Sequence, residues 1–189
     1  MKEFSIILVT GAPGTGKTTI AKKISKELEL PLLTRDDIKA LILDNLGRGG
    51  REWSKKVGQL SYRFMDYVIQ RYLELQLPFI VESAFNPRYE NDKFREWQAQ
   101  YNFNSVQIFC YADNETVVRR WSARASKDEG HPSHTEGREG LEDLKRGLQE
   151  GQYESLQLRG SIIKVDTTDF DRVDEDKVID EVKRLIYKH

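Results

Sequence analysis

Residues 11–18 read Gly11, Ala12, Pro13, Gly14, Thr15, Gly16, Lys17, Thr18, which satisfies G-x-x-x-x-G-K-[ST] at every defined position. This pattern works only between a strand and a helix, so its flanks test it. Before it runs Phe4 to Val9, a short apolar and β-branched stretch that reads as a buried strand. After it, Ile20, Ala21, Ile24 and Leu28 recur at the spacing of an amphipathic helix. The glycines let the backbone close on an anion, and loop N–H groups with the helix N-terminus supply positive potential. Lys17 would then reach the β- and γ-phosphates, the Thr18 hydroxyl would hold Mg²⁺, and Thr19 would complete the loop's exit. A plain glycine turn would leave the Lys-Thr pair without a purpose. The stretch is a triphosphate-binding loop.

The rest of the chain supplies a matching frame. Leu32 to Thr34 makes a short second strand after Pro31, and Thr34 or an aspartate caps a helix with Ile38, Leu41 and Ile42 on its apolar side. Leu41 to Gly47 also mimics a strand followed by D-x-x-G, but no N-K-x-D follows, and Gly47 reads better as a helix stop. Beyond the basic loop Gly47 to Arg51, the residues Val57, Leu60, Phe64, Val68, Tyr72 and Leu75 form a helical stripe expected to face the core. Strands are expected at Phe79–Glu82, Ser105–Tyr111 and Ser161–Val165. Helices are expected through Phe94, Trp97 and Tyr101, through Val117, Val118 and Trp121, through Leu141, Leu144 and Leu148, and after Asp174.

Five strands alternating with helices predict an α/β fold with a doubly wound, five-stranded parallel sheet, in one domain spanning residues 1–189. Ligands collect at the carboxyl ends of such strands. That rule gathers the glycine loop, Arg35-Asp36-Asp37, Glu82-Ser83 and Asp113-Asn114 on one edge, with Asp166 to Asp169 beside them.

Thirty basic against 31 acidic residues leave a net charge of −1, which gives no global attraction to nucleic acid or membrane. The first apolar run is too short for a signal segment or a membrane span, so a cytoplasmic location is expected. The single cysteine, Cys110, lies in an apolar run and reads as a buried, inert thiol.

Phosphoryl transfer requires a phosphate cradle, a metal, a group that orients the nucleophile and positive charge for the transferring group. Asp36 or Asp37 can accept an acceptor's hydroxyl proton, since capping the helix needs only one of them. Glu82 at a buried strand end suits indirect contact with Mg²⁺ or binding of the acceptor. Arg120 and Arg124 stand four apart on one helix face and lead into a Gly/Pro-broken stretch, so residues 119–140 are expected to form a lid. His131 and His134 fit that lid better than a metal site.

Taken together, Gly11 to Thr18, Arg35-Asp36-Asp37-Ile38-Lys39, the strand ending in Glu82, and Arg120-Trp121-Ser122-Ala123-Arg124 resemble small P-loop kinases. The resemblance is to the AAA_33, polynucleotide-kinase-like and zeta-toxin-like group. It runs from residue 4 to about residue 168. It implies a nucleoside-monophosphate-kinase-like fold with a helical lid, ATP as donor and Mg²⁺ as cofactor. It implies Asp36 as general base and Arg124 as the lid arginine. Asp37, Lys39 and Glu82 would lie on the acceptor side. Arg120 and Thr167 would lie on the nucleotide side, where the last strand's end cradles adenine. Lys39 stands where the group usually has arginine and Glu82 where it commonly has aspartate. The expected activity is transfer of the γ-phosphate to a hydroxyl of a small metabolite, a nucleoside or a nucleic-acid 5′ end. The near-neutral charge favours the first. The competing expectation is an ATP-binding switch with no acceptor of its own.

Overall fold

The computed structural model describes residues 4–125 and 137–187. In chain order the elements are β1 (Phe4–Thr10), α1 (Lys17–Leu28), β2 (Leu32–Thr34), α2 (Arg35–Leu46), α3 (Arg51–Glu74), β3 (Ile80–Glu82) and α4 (Pro87–Tyr101). They continue with β4 (Phe103–Tyr111), α5 (Asn114–Ala125), α6 (Gly137–Gln149), β5 (Gly160–Asp166), a 3₁₀ turn (Phe170–Arg172) and α7 (Glu175–Ile186). The five strands form one parallel sheet in the order β2-β3-β1-β4-β5.

Both faces of this sheet are covered, so β1 is apolar throughout rather than alternating. Ile7 and Val9 face one side, with Ile20, Ile24 and Leu28 of α1 and Val178, Ile179 and Val182 of α7. Ile6 and Leu8 face the other, with Met65, Ile69 and Leu73 of α3 and Phe94 and Trp97 of α4. A third, smaller cluster of Ala12, Val117 and Leu144, with Trp121 and Tyr153 against it, fastens α5 and α6 to the glycine loop.

Register decides what meets at the carboxyl edge. Val9 pairs with Glu82, and Glu82 pairs with Thr34. On the other flank Thr10 pairs with Phe109, and Tyr111 pairs with Asp166. The entrance to the glycine loop, the strand-end glutamate and the start of α2 are therefore neighbours by hydrogen-bond geometry alone.

Three expectations need correction. The core stripe of α3 is Ser54, Val57, Gly58, Ser61, Met65, Ile69 and Leu73, while Leu60, Phe64 and Leu75 are exposed. Its first half lies against α2, where close approach favours small side chains, so hydrophobicity pointed to a face one residue, about 100°, away. On α2 the buried residues are Lys39, Ala40 and Leu43, and Leu41 faces out. Finally, the irregular stretch taken to reach Gly140 ends earlier, because α6 already begins at Gly137. Positions 126–136, including His131 and His134, lie outside the described residues.

The orientation of α3 has a measurable consequence. Ile69→Ala should destabilise the fold by about 2–5 kcal/mol in denaturant unfolding, and Phe64→Ala by less than about 0.5 kcal/mol. Equal losses would contradict the orientation described.

Candidate active site

The glycine loop connects the end of β1 to α1 in a conformation only glycine supports at two points. Gly11 has φ 136°, and a Cβ on it would lie 2.0 Å from the Cys110 carbonyl oxygen. Gly16 has φ 75°, and a Cβ there would enter the ring of Phe170. Within the loop the Thr15 hydroxyl donates to the Ala12 carbonyl at 2.8 Å. No side chain caps α1 and its first turn holds no acidic residue, whereas α2, α4 and α7 are capped by Thr34, Asn86 and Asp174. The positive end of α1 is thus left for an anion.

Lys17 lies folded back along the loop. Its Nζ donates to the Ala12 carbonyl at 3.0 Å and stands 3.8 Å from Glu82 Oε1. The Thr18 hydroxyl donates to Glu82 Oε2 at 3.2 Å. Glu82 is only 3% exposed, and burial pushes its carboxyl above the ordinary range. Lys17 and the Thr18 hydroxyl oppose that rise, and the charges of Asp36 and Asp37 add to it. An ammonium at 3.8 Å does not offset the loss of water around this group.

A cavity of about 480 Å³ opens beside these residues. Its nucleotide side is formed by Pro13, Gly14, Gly16, Lys17, Thr18 and Thr19. Asp36, Asp37 and Lys39 of α2 line the same space, as do Glu82, set against Lys17 and Thr18, and Arg124 of α5. Asp36 accepts from Arg35 Nη1 at 2.9 Å, and the Asp37 N–H is capped by Thr34 Oγ1 at 3.3 Å. Lys39 is buried, at 2% exposure.

The remaining candidates sit outside this lining. Gly11, Ala12 and Thr15 are buried under the loop. Arg120 lies behind it, within reach of the Gly14 carbonyl at 3.4 Å and the Thr168 carbonyl at 3.2 Å. Thr167 is fully buried, and its hydroxyl donates to the Tyr111 carbonyl at 3.0 Å, which ties the ends of β4 and β5 together. Cys110 is buried as expected, with its thiol pushed up to about 12 by burial.

Sequence reasoning missed several wall residues. Lys22 could have been found, because it lies one turn beyond Thr18 on the same face of α1. Ala84 follows directly from Ser83, which the strand-end rule already places on this edge. Asp143 and Tyr153 carry no local signal and reach the cavity because α6 packs on α5. Arg51, at the start of α3, spans Glu139 at 2.9 Å and Asp143 at 2.6 Å on α6, joining α3 to α6.

Strand order, glycine loop and the acidic residues at the ends of β2 and β3 define a P-loop NTPase domain of the nucleoside-monophosphate-kinase-like type. Residues 6–150 match the pattern of the AAA_33 family, described as an AAA domain, and the chain belongs to that family. Among curated proteins it is 25% identical over 114 residues to a shikimate kinase of Bacillus anthracis, and 29% identical over 114 residues to one of Bacillus cytotoxicus. Each alignment covers 60% of this chain and 64% of the relative, so the chain spans less than two thirds of the curated proteins it matches. Among solved structures it is similar to a candidate kinase of Chloroflexus aurantiacus, at 29% identity and a TM-score of 0.87, covering 97% of this chain and 99% of that one. A gluconokinase of Sinorhizobium meliloti superposes with TM-score 0.56 at 15% identity over 99% of this chain and 94% of that one. Chaetomium thermophilum Kti12 in complex with ADP-AlF3 does so with 0.62 at 15% over 96% and 98%. The last two speak to the fold alone. Among the described residues no helix is long and apolar enough to cross a membrane.

The buried glutamate yields a test. A raised carboxyl pKa means the folded state holds its proton to higher pH than the unfolded state, so stability falls as pH rises through that window above 4.5. Glu82→Gln should therefore raise the melting temperature of the nucleotide-free protein at neutral pH by about 2–4 °C. The gain should vanish below the ordinary carboxyl range in a pH series of thermal melts.

Proposed function

We propose that this protein is an ATP-dependent kinase that transfers the γ-phosphate to a hydroxyl of a small metabolite. The observation that carries the reading is the continuity of the cavity: the phosphate loop and the Asp36–Glu82 wall line one space rather than two. A loop that only bound nucleotide would not require a carboxylate wall facing its γ-phosphate end. The kinase names borne by the shikimate kinases and the Chloroflexus aurantiacus protein agree with this activity.

In the proposed reaction the acceptor hydroxyl lies between Asp36 and the γ-phosphorus. Its proton passes to the Asp36 carboxylate as its oxygen bonds to phosphorus, and the bond from phosphorus to the β,γ-bridging oxygen breaks to release ADP. Lys17 leaves the Ala12 carbonyl and turns to the β- and γ-phosphates, and Arg124 balances charge on the transferring group. Thr18, Asp37, Lys39 and Glu82 orient the reactants around it. Arg120 and the turn at Thr168 bound the nucleotide's base side.

The residues present fit Mg²⁺. A hydroxyl and a carboxylate oxygen lie 3.2 Å apart at the phosphate end, both hard donors. Among the described residues no group of three or more His, Cys, Asp or Glu forms a closed metal cage, so Thr18 and Glu82 would share the ion with phosphate oxygens. Bound there, Mg²⁺ would supply charge neutralisation on the β- and γ-phosphates.

Labelled ATP offered with a panel of hydroxyl compounds, shikimate and gluconate among them, should label one acceptor stoichiometrically. Label released only to water, with a partner protein retained in the ATP-bound form, would sink the kinase reading in favour of a switch. With the acceptor in hand, Asp36→Asn should lower turnover by about 10²–10⁴-fold. ATP affinity measured by calorimetry should stay within about twofold, because Asp36 lies on the acceptor wall rather than in the phosphate loop.

A further inference from the structure

Arg35 opens α2 where elementary electrostatics disfavours a cation. The first turn of a helix carries the positive end of the macrodipole, which Asp36 and Asp37 already complement. Other features hold the side chain there. Its guanidinium lies over the ring of Tyr62 on α3, 5.0 Å from the centroid. One turn before Tyr62 stands Gly58, where a Cβ would lie 3.0 Å from Arg35 Nη2. Nη1 donates to Asp36 Oδ1 at 2.9 Å, while Nε is buried with no hydrogen-bond partner among the described residues. An orphaned interior donor is a penalty that folded proteins avoid. A fork held in spite of it, on a helix end that resists it, is there for something other than stability.

Tyr62 is anchored at its far end as well. Its hydroxyl donates to the Ala84 carbonyl at 3.3 Å and accepts from Ser83 Oγ at 3.3 Å. Ser83 and Ala84 follow Glu82 and line the cavity. One rigid ring thus connects the carboxyl end of β3 to the start of α2, with the guanidinium between ring and carboxylate.

We infer that Arg35, braced by Tyr62 and Gly58, is a positioning residue that fixes the orientation and the ionised form of the Asp36 carboxylate. The inference rests on the reading of Asp36 as the base. Planar geometry matters in this role, because a guanidinium stacks on a ring and presents a directed N–H, whereas an ammonium is a point charge. Among the described residues, the other charged groups around the cavity are Lys17 and Lys22 on α1, Asp37 and Lys39 on α2, Glu82 on β3, Arg124 on α5 and Asp143 on α6. All of them remain in the variants below.

The test follows the Asp36 carboxyl by ¹³C NMR across pH in the intact protein. It also measures phosphoryl transfer to the acceptor found with labelled ATP, shikimate and gluconate being the first probes. Arg35→Met should move the Asp36 titration midpoint up by about half a unit to one unit. Arg35→Lys should return the midpoint close to its original value. Both should lower kcat by about tenfold or more with the KM for ATP nearly unchanged. Gly58→Ala keeps every charge and only crowds the fork, so it should lower kcat in the same sense without moving the midpoint as far. It decides the matter if Arg35→Met does not fold. Asp36→Asn run alongside separates the two claims. If it leaves transfer intact, the base assignment fails. If it abolishes transfer while the Arg35 and Gly58 variants keep both midpoint and kcat, the positioning role alone is overturned.

Discussion

Everything at the carboxyl edge of the sheet depends on parallel register. Once Val9 pairs with Glu82 and Glu82 with Thr34, three chain segments more than twenty residues apart in sequence end side by side. The loop that leaves β1, the carboxylate that ends β3 and the helix that follows β2 need no further interaction to meet. Side chains then refine this backbone placement. Thr18 and Lys17 meet Glu82 across the gap, and Thr34 turns the chain directly into α2 by capping it.

The same edge contrasts satisfied and unsatisfied groups. Four helices close their N-termini with side-chain caps, α5 through Asp113, and α1 and α3 do not. Glu82 is held at a position where burial disfavours its charge, and Arg35 keeps one donor unpaired. Such departures from local consistency gather at working sites, because groups that are fully satisfied within the fold have nothing left for a ligand. The well-packed faces of the sheet, built from Ile7, Val9, Ile6 and Leu8 with their helices, supply the stability that tolerates them.

Much of this was readable from residue order. The glycine loop is a local rule with a steric cause, and the strands announced themselves as short β-branched runs between turn signals. The acidic residues at the ends of β2 and β3 followed from the rule that ligands gather at strand carboxyl ends. What escaped was decided by contacts between elements. The inner face of α3 is written in Ser54, Gly58 and Ser61, residues that no hydrophobic count selects, since the helix needed small side chains against α2 and room for Arg35. Lys39 is buried although its type is usually exposed, and Asp143 and Tyr153 enter the cavity only through the packing of α6. A single chain position tells little about which distant element will cover it.

Phe170 against Gly16 carries a consequence for how the protein is made. The nucleotide loop appears within the first tenth of the chain, yet the ring that backs it arrives more than 150 residues later, after the edge strand β5. Its parent strand β1 sits at the centre of the sheet and waits for β3 and β4 before either of its edges is paired. The loop is thus synthesised well before the ring that completes it, a long-range closure that slows folding. A chain still emerging from the ribosome carries the motif without the site, and nucleotide can stabilise only the finished product.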